Sequence, residues 1–450
     1  MNNGVELIER GAEQWDSARA AWNLALDQQP AVVARPRNAD EVVAVVEYAR
    51  DNGLRIAVQA AGHSAGGLAG VGDGTLLVKT GRMTGAEIDA SSRRARVAAG
   101  AKWQDVSALA SPRGLSALSG SSAEVGAVGY TLGGGHGWLS RMHGLACNSV
   151  TAAEVVTADG RHLRVDHDND PDLFWALRGG GGNFGVVTAL EFDLYPVPDL
   201  YAGIVAWPWE RTADVLHRWR EWVSGLPNEM ATWARVLQVP PLPDIPEPVR
   251  GRQLVLVEAV YVGGEEAGRE LLRPLRELGP ELDTFAPVPP AVLGQLHMDP
   301  EDPSPFAASG QLLDDLPPAA IERIVEAVGP GSGTSLLSLE LRLLGGALTE
   351  APPKAGALAR IDQTFLTLGI GMIMDPSMAP RINADLGRVD DALEPWDSGV
   401  TYANFVDVPI DTRTCYPPET FERLQDVKAR YDREDLFRAN QAIPCPAAAG

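Results

Sequence analysis

The chain has 450 residues, more than one ordinary hydrophobic core accommodates, so two domains are expected. Its formal net charge of −22 argues against nucleic acids and anionic membranes as partners, because both bind basic surfaces. The first ten residues lack a basic stretch followed by an apolar run, so no secretory signal is predicted. Three cysteines are too few for a disulfide framework, and a cytoplasmic location is expected.

The N-terminal region has a strand–helix–strand pattern. Residues 31–34 are predicted to form a strand, and residues 41–50 have apolar side chains at helical spacing. Asp40 is the expected N-cap of this helix, and Gly53 is expected just after its end. Residues 54–58 then form an apolar run that predicts a buried strand. The pattern is that of an α/β unit.

Further short elements follow up to residue 194. The patterns predict strands at 75–78, 94–98 and 183–194, a hairpin at 154–165 with its turn at Asp159-Gly160, and a helix at 171–178 ended by four glycines. Pro196-Val-Pro198 is the expected domain boundary, because paired prolines interrupt regular structure.

The second half of the chain alternates strands and helices. Helices are predicted at 207–225, 265–278, 321–328 and 381–393, and strands at 254–262, 336–344 and 366–374. This alternation predicts an antiparallel sheet backed by helices. The expected domains are therefore 1–197, 198–395, and a segment 396–450 that returns to the first domain.

Two glycine-rich loops each carry one nucleophilic side chain. The first is Gln59-Ala-Ala-Gly-His-Ser-Ala-Gly-Gly67, which contains His63 and follows a predicted strand. The second runs from Gly129 through Gly-Gly-Gly-His-Gly to Cys147. Main chain without Cβ atoms can press against a flat or anionic group. The pair of loops therefore predicts a large planar cofactor held from two sides.

These motifs resemble those of the FAD-linked oxidases of the berberine-bridge-enzyme-like group, within the vanillyl-alcohol-oxidase/PCMH-type flavoprotein superfamily. In that family the histidine of a G-H-S loop is bonded to the flavin 8α-methyl group, and the cysteine of a G-L-A-C motif to flavin C6. His63 and Cys147 occupy these two positions. The resemblance covers residues from about 30 to 197 and from about 400 to 445.

The resemblance implies an α+β fold with FAD as the cofactor, bound covalently through His63 and Cys147. The FAD-binding domain would be of PCMH type, built from two α/β subdomains, and the substrate domain would carry the antiparallel sheet. Further cofactor contacts are implied along the matching motifs, and no metal ligand is. The implied contacts are Gly62, Ser64, Ser119, Gly120, Ser121, Gly129, Gly133, Gly134, Gly137, Gly144, Val186, Val187 and Asn440.

Catalytic residues are expected in the segment Thr401-Tyr-Ala-Asn-Phe405. The resemblance places a Y-x-N-[YF] strand at the wall of the active site, and in many members its last tyrosine is the catalytic base. Phe405 stands there in this chain, and phenylalanine cannot accept a proton. Tyr402 is then the expected base, beside Asn404, unless the substrate domain supplies another one; strand alternation would place Phe405 on the opposite face. His136 either faces the substrate or packs in the core.

The expected reaction is the transfer of a hydride from a C–H bond of an alcohol, an amine or a related group to FAD. Dioxygen would reoxidise the flavin and give hydrogen peroxide, and the substrate would be a bulky small molecule, such as a secondary metabolite. An oligosaccharide oxidase is the alternative, because the tryptophans at 207, 209, 219, 222 and 233 either stack on sugars or pack a helix against a sheet.

Two other classes of function are considered. A nicotinamide-dependent dehydrogenase is disfavoured, because the first strand leads into Pro36-Arg-Asn38 instead of a G-x-G-x-x-G turn. A non-catalytic flavin-binding protein stays open because of Phe405. The substrate and the oligomeric state are left open by the sequence.

Overall fold

A computed structural model describes residues 4–243, 245, 247 and 249–446. The strands in chain order are β1 (Glu6–Glu9), β2 (Val32–Arg35), β3 (Arg55–Gln59), β4 (Thr75–Lys79), β5 (Ala86–Asp89), β6 (Arg94–Ala98), β7 (Leu115–Ser116), β8 (Val150–Val156), β9 (His162–Val165), β10 (Val186–Asp193), β11 (Tyr195–Pro196), β12 (Tyr201–Pro208), β13 (Met230–Gln238), β14 (Gln253–Tyr261), β15 (Leu282–Asp283), β16 (Ala286–Pro287), β17 (Phe306–Ser309), β18 (Leu312–Leu313), β19 (Ser338–Leu343), β20 (Phe365–Met372) and β21 (Phe437–Arg438).

The helices lie between these strands, most of them in short connections. In chain order they are α1 (Trp15–Arg19), α2 (Ala39–Asp51), α3 (Trp103–Ala110), α4 (Ala127–Leu132), α5 (Ser140–His143), α6 (Pro171–Gly180), α7 (Thr212–Val223), α8 (Glu265–Leu271), α9 (Arg273–Arg276), α10 (Pro318–Val328), α11 (Ala379–Leu393) and α12 (Pro418–Tyr431).

The first sheet has the strand order β1-β2-β4-β3-β21. Strands β2, β4, β3 and β21 run parallel, and β1 is antiparallel to β2. The central strands are apolar and buried, because α2 covers one of their faces. The last strand of the chain therefore completes a sheet begun by the first.

The second sheet is antiparallel, in the order β5-β6-β10-β8-β9. The predicted hairpin is confirmed as β8 and β9, whose turn contains Gly160 at a φ of +83°. Apolar side chains of α3, α4, α6 and α12 pack against this sheet and form its core.

The third sheet is antiparallel, with the main order β15-β12-β14-β13-β19-β20-β17. Helices α7, α10 and α11 bury their apolar side chains on one face of it. The opposite face packs against Leu118, Trp138 and Ala146, which border the glycine-rich segment. The predicted α+β class and the antiparallel sheet backed by helices are confirmed. The third sheet packs against the residues that border the glycine-rich segment.

The tryptophans of this region are packing residues. Trp207, Trp209, Trp219 and Trp222 lie in the core between the third sheet and its helices, and none is more than 9% exposed. Trp233 lies on the opposite face and is fully buried. The helix-against-sheet alternative is therefore the one observed for the first four.

Three local predictions are wrong. Residues 207–225 do not form one helix, because Trp207 ends β12 and α7 begins only at Thr212. The predicted helix 265–278 is divided into α8 and α9, since Pro274 has no N–H to continue the ladder. The N-cap of α2 is Asn38 instead of Asp40, because the Asn38 side chain accepts the N–H of Glu41 at 2.9 Å.

The predicted strand at 401–405 is also wrong. Residues Ala403–Phe405 form a 3₁₀ turn in which the Phe405 N–H donates to the Tyr402 carbonyl at 2.9 Å. The turn places the rings of Tyr402 and Phe405 in a stack, with centroids 5.5 Å apart and an interplanar angle of 22°. The two rings are therefore neighbours and not on opposite faces.

Within the described ranges, every helix is too short or too polar to cross a membrane.

Candidate functional site

The His63 loop leaves the end of β3 and turns sharply at Gly62. Gly62 has a φ of +98°, and a Cβ atom there would lie 3.0 Å from the backbone nitrogen of Trp22. The His63 ring stacks on Trp22, with centroids 4.4 Å apart and planes inclined by 20°. Burial lowers the pKa of His63 to about 4, and the Lys102 cation acts in the same direction. The imidazole is therefore neutral around pH 7.

Two later segments fix this loop. The Asn440 side chain donates to the Ser64 carbonyl at 3.0 Å, which places the predicted contact Asn440 at the His63 loop. The carboxylate of Asp407 accepts the N–H of Gly66 at 2.7 Å. The loop is therefore bounded by the C-terminal part of the chain.

The glycine-rich segment passes directly beneath the expected catalytic residues. A Cβ atom at Gly133 would collide with Oδ1 of Asn404, and one at Gly134 would lie 3.0 Å from the Tyr402 hydroxyl. Gly134 also has a φ of +127°, which side-chain-bearing residues rarely adopt. At Gly129 the same position is open, with no atom of the described residues within 4 Å. The segment therefore accommodates protein side chains at 133 and 134 and leaves space at 129.

Cys147 lies against the same segment. After Gly144, which has a φ of +80°, the Cys147 N–H donates to the Gly134 carbonyl at 2.8 Å. Its thiol is fully buried and lies 3.5 Å from the Leu358 carbonyl. Burial raises the pKa of Cys147 to about 12, although the Arg178 cation opposes the shift.

Tyr402, Asn404 and Cys147 converge at the glycine-rich segment. Tyr402 packs in one apolar cluster with Cys147. The Asn404 amide donates to the Tyr130 carbonyl at 2.9 Å and approaches the Tyr402 hydroxyl at 3.5 Å. Burial raises the pKa of Tyr402 well above its usual value, and the neighbouring Cys147 adds to the shift; the Gly135 N–H and the Asn404 amide oppose it.

His136 is buried beside this group. Its ring centroid lies 6.3 Å from Phe405 and 6.2 Å from Trp233. Burial lowers the pKa of His136 to about 3, and the Arg342 cation contributes to the shift. The imidazole is therefore a neutral group at the wall formed by the third sheet.

Residues 119–121 lie next to residues 290–301. The Ser121 hydroxyl donates to Asp299 at 2.9 Å, and Gly120 packs against the Tyr130 ring. The Ser119 carbonyl occupies the place that a Cβ atom at Gly137 would need. Ser119 also lines a cavity of about 670 Å³ between α3 and residues 290–301.

Val186 and Val187 lie in the buried cores of the first and second sheets. Both are buried, and both pair with β8 at Val156 and Val155. Contact of their main chain with a cofactor stays a prediction. Just before them, the Asn183 side chain donates to the Gln441 carbonyl at 3.0 Å and so ties this strand to the C-terminal segment.

A single stretch connects the two nucleophiles. Tyr402 packs beside Cys147, and Asp407, five residues later, bonds the His63 loop through Gly66. The distance between the two loops is thus spanned by residues 402–407. Contacts of residues 402–407 therefore link the surroundings of Cys147 with the His63 loop.

Buried polar atoms without partners mark both ends of the site. At the His63 end, the buried atoms of the described residues that lack a hydrogen-bond partner are both ring nitrogens of His63, Nε1 of Trp22 and both amide atoms of Gln59. The Tyr130 hydroxyl and Nδ1 of His136 lack one at the other. Each such group costs about 1–3 kcal/mol when it stays unpaired. A polar ligand of the size of FAD fits this distribution, and the site is suited to hold it.

Four residues near the site were missed by the sequence reasoning. Trp22 and Asp407 lie in segments without a motif, so no local signal marks them. Glu340 and Arg342 did have a local sequence signal, because charged residues alternate with leucine in Ser338-Leu-Glu-Leu-Arg-Leu343. Such alternation places both charges on one face of a strand. Arg342 lies 3.8 Å from the centroid of Trp233 and 4.9 Å from that of Phe405, so this face meets the site.

Comparison with known proteins agrees with this arrangement. Residues 30–166 match the family described as FAD binding domain, and residues 401–444 match the one described as berberine and berberine like. The chain is 28% identical to a xylooligosaccharide oxidase from Thermothelomyces thermophilus over 98% of this chain and 93% of that protein. It is 37% identical to an (R)-6-hydroxynicotine oxidase from Paenarthrobacter nicotinovorans over 45% of this chain and 44% of that protein.

A solved structure supports the same assignment. That of a chitooligosaccharide oxidase superposes with a TM-score of 0.84 at 25% identity, over 98% of each chain. The family matches include both the His63-side region and the segment with Tyr402 and Asn440. The chain carries an FAD binding domain and a berberine-like domain, and it is an FAD-dependent oxidoreductase.

Proposed function

We propose that this protein is an oxidase that removes a hydride from a C–H bond of a bulky small molecule, using FAD bonded to both His63 and Cys147. The oxidised group would be an alcohol, an amine or a related function, and dioxygen would be the final acceptor. The observation that carries the proposal is the convergence of Tyr402, Asn404 and Cys147 on one glycine-rich segment.

His63 and Cys147 would hold the cofactor from its two edges. FAD, when bound, supplies an acceptor for a hydride and passes the electrons to dioxygen, which becomes hydrogen peroxide. His63 suits attachment because its imidazole is neutral, so a ring nitrogen carries a free electron pair. Cys147 needs deprotonation first, and the nearby Arg178 cation favours the thiolate.

Tyr402 is the residue we assign as base. Its oxygen is approached by the Gly135 N–H and by the Asn404 amide, and both donors stabilise a phenolate. The Arg342 cation acts in the same direction. Asn404 would also fix the position of the phenol through its second bond to the Tyr130 carbonyl. His136, neutral and buried, would serve as a hydrogen-bonding group toward the substrate.

The surroundings of Tyr402 favour an apolar substrate. Tyr402 and Cys147 share a cluster with the leucines 145, 312, 344, 348 and 366 and with Ile361. Leu358 and Phe405 pack at its border. This cluster would pack against the apolar part of a substrate, so a secondary metabolite with an apolar skeleton is the substrate class that we propose.

Two measurements test the proposal. Protein denatured in acid should keep a yellow chromophore and gain the mass of FAD; single replacement of His63 or Cys147 should leave one bond, and double replacement should release the pigment. A panel of alcohols and amines with aromatic or alicyclic skeletons should then yield peroxide. A colourless chain after acid treatment contradicts the attachment, and a panel without peroxide from a reducible flavin favours a non-catalytic flavin-binding protein.

An oligosaccharide oxidase is the second candidate. It is favoured by the relatives named for xylooligosaccharide, glucooligosaccharide and chitooligosaccharide oxidation. It is disfavoured by the burial of Trp207, Trp209, Trp219 and Trp222 in the helix–sheet core, where they cannot stack on a sugar. Adding xylobiose, cellobiose and chitobiose to the panel separates the two, because faster peroxide release from a sugar would select this candidate.

A further inference from the structure

Trp22 lies directly on the nucleophilic ring of the site. The indole and the His63 imidazole are stacked, with centroids 4.4 Å apart and planes inclined by 20°. The indole also packs against Phe306 in an edge-on arrangement, with centroids 6.0 Å apart and planes inclined by 63°. The imidazole therefore has its plane set by one aromatic neighbour, which is itself supported by another.

The segment that carries Trp22 is anchored to two distant parts of the chain. The Ser304 N–H donates to the Trp22 carbonyl at 3.1 Å. The adjacent Asn23 side chain donates to Asp407 at 2.6 Å and to the Phe306 carbonyl at 3.1 Å. Asp407 also holds the His63 loop at Gly66. These hydrogen bonds form one network that holds both the Trp22 indole and the His63 loop.

The ring under Trp22 has no other constraint from hydrogen bonds. Within the described ranges, neither nitrogen of His63 has a partner, although the side chain is buried. A histidine ring with no hydrogen bond rotates about its χ2 angle unless packing prevents it. In this site the packing that prevents rotation is the face of Trp22.

We propose that Trp22 is the positioning residue for covalent attachment of FAD at His63. Its indole face would hold the imidazole plane so that a ring nitrogen points at the flavin methyl group. This inference rests on the proposed function, because it assumes that His63 is a tether. A fixed near-attack orientation is one of the larger sources of rate in bond formation.

The attachment step balances with dioxygen as the oxidant. A bond forms between an imidazole nitrogen and the 8α carbon, while one methyl C–H bond and the imidazole N–H bond break. Two electrons pass into the flavin and then to dioxygen, which takes up two protons and leaves as hydrogen peroxide. Trp22 takes no part in the bond changes.

The charged groups around the imidazole favour its neutral form. Lys102 acts on His63 directly and is itself ion-paired with Glu124. In segments packed against this loop and its strand, Asp407 is engaged by Gly66 and Asn23, and Lys79 donates to the Ala20 carbonyl at 2.7 Å. Removal of the indole would expose the imidazole, so its pKa would rise from about 4 toward the ordinary 6.5.

The test uses the full chain with Cys147→Ala as background, so that His63 is the only tether left. Protein produced under riboflavin limitation is mixed with FAD, and acid-stable flavin is followed over time by fluorescence and intact mass. Trp22→Leu should slow attachment at least tenfold, whereas Trp22→Phe, which keeps an aromatic face, should retain most of the rate. Trp396→Leu, which removes an indole beside Arg323, is the matched control and should change nothing.

The pH dependence separates positioning from general loosening of the fold. In the background protein the rate should be constant above the pKa of about 4, and in Trp22→Leu it should fall below about pH 6.5. Equal rates and equal pH profiles for Trp22→Leu and the background would overturn the proposal.

A second variant covers the case in which Trp22→Leu does not fold. Phe306→Leu removes the edge contact of Trp22 without touching His63, and it should slow attachment by a smaller factor; an unchanged rate in this folded variant overturns the proposal. If Cys147→Ala binds FAD but never makes it acid-stable, the His63 tether itself is wrong, and both proposals fall together. Thermal unfolding midpoints confirm that each variant is folded.

Discussion

The two nucleophilic residues of the site have opposite proton affinities. Burial lowers the pKa of His63 to about 4 and raises that of Cys147 to about 12. The imidazole is thus in its reactive neutral form across the physiological range, whereas the thiol is almost entirely protonated. Because the thiolate is the nucleophile, the two bonds to FAD that we propose should form with different dependence on pH.

The first prediction follows from this difference. In His63→Ala protein, the rate of acid-stable attachment at Cys147 should rise about tenfold for each pH unit between 7 and 9, since the thiolate fraction does so below the pKa. In Cys147→Ala protein the rate at His63 should stay constant over the same range. Quenched time courses read by flavin fluorescence measure both; a constant rate in His63→Ala would contradict the prediction.

A second prediction concerns the base. Tyr402→Phe should keep FAD bound and lower kcat by about 10²–10⁴, the usual contribution of a general base. In the parent protein kcat should increase with pH, because burial keeps the phenol protonated at neutral pH. Tyr195→Phe, which alters a phenol stacked on His143, is the matched control and should leave kcat unchanged. Equal kcat values in Tyr402→Phe and the parent would assign the base elsewhere.

Among the elements, the repeating patterns were predictable and the turn at the site was not. The hairpin β8–β9 and the strands β14, β19 and β20 follow from side-chain alternation and turn residues. Residues 401–405 carry a similar pattern, yet they form a 3₁₀ turn because Asn404 must reach Tyr130 across the glycine-rich segment. His63 and Cys147 were found through motifs, whereas Trp22 and Asp407 depend on contacts between distant segments and had no local signal.

The glycine-rich segment gives a third prediction. Gly134→Ala adds a side chain at a φ of +127° and against Leu358 and Tyr402, so it should destabilise the fold by about 1–3 kcal/mol. Gly129→Ala lies in α4 with open space around the new methyl group, so the apoprotein should be unchanged or more stable by up to about 1 kcal/mol. FAD loading should nevertheless fall in Gly129→Ala if the cofactor occupies that space. Urea unfolding and flavin content measure the two effects separately.

A fourth prediction comes from the charged face of the third sheet. His297 bridges Glu258 at 2.5 Å and Glu340 at 2.8 Å. Burial and the Arg235 cation would lower the pKa of His297, but the carboxylates outweigh them and raise it to about 9. Because the folded-state pKa is raised above 6.5, the stabilisation is complete below that pH and is lost as pH rises through 9.

This contribution is on the order of 3 kcal/mol and should vanish in His297→Gln. The measurement is the free energy of unfolding between pH 6 and 10, for the parent and the variant. The parent should lose stability at the alkaline end, and His297→Gln should be less stable at pH 6 with a flatter profile. Parallel profiles would show that His297 does not carry the charge in the folded state.

At the scale of the whole molecule, the C-terminal segment is the part that joins the separate sheets. Strand β21 pairs in parallel with β3, and Asn183 binds the main chain of Gln441 and Ile443. Lys428 is fully buried; it binds Asp432 at 2.5 Å and the Asn183 carbonyl at 2.9 Å. Lys428 thus links α12 to the residues that precede β10.

The fifth prediction is that this link is needed for the fold. Lys428→Met leaves the buried Asp432 without its cation and should cost about 3–5 kcal/mol. Arg430→Met, which removes an exposed pair with Asp172, should cost less than about 1 kcal/mol. Chemical denaturation compares the two directly. Similar losses would mean that Lys428 is not the cation that Asp432 depends on.

The closure of the first sheet by β21 has a consequence for the order of assembly in the cell. During translation, His63 emerges long before Asp407, β21 and Asn440, yet all of these bound its loop. The flavin cradle therefore cannot be complete before residues 437–440 have emerged from the ribosome. Maturation must be a late event, so premature termination anywhere upstream of residue 437 should yield protein that never turns yellow.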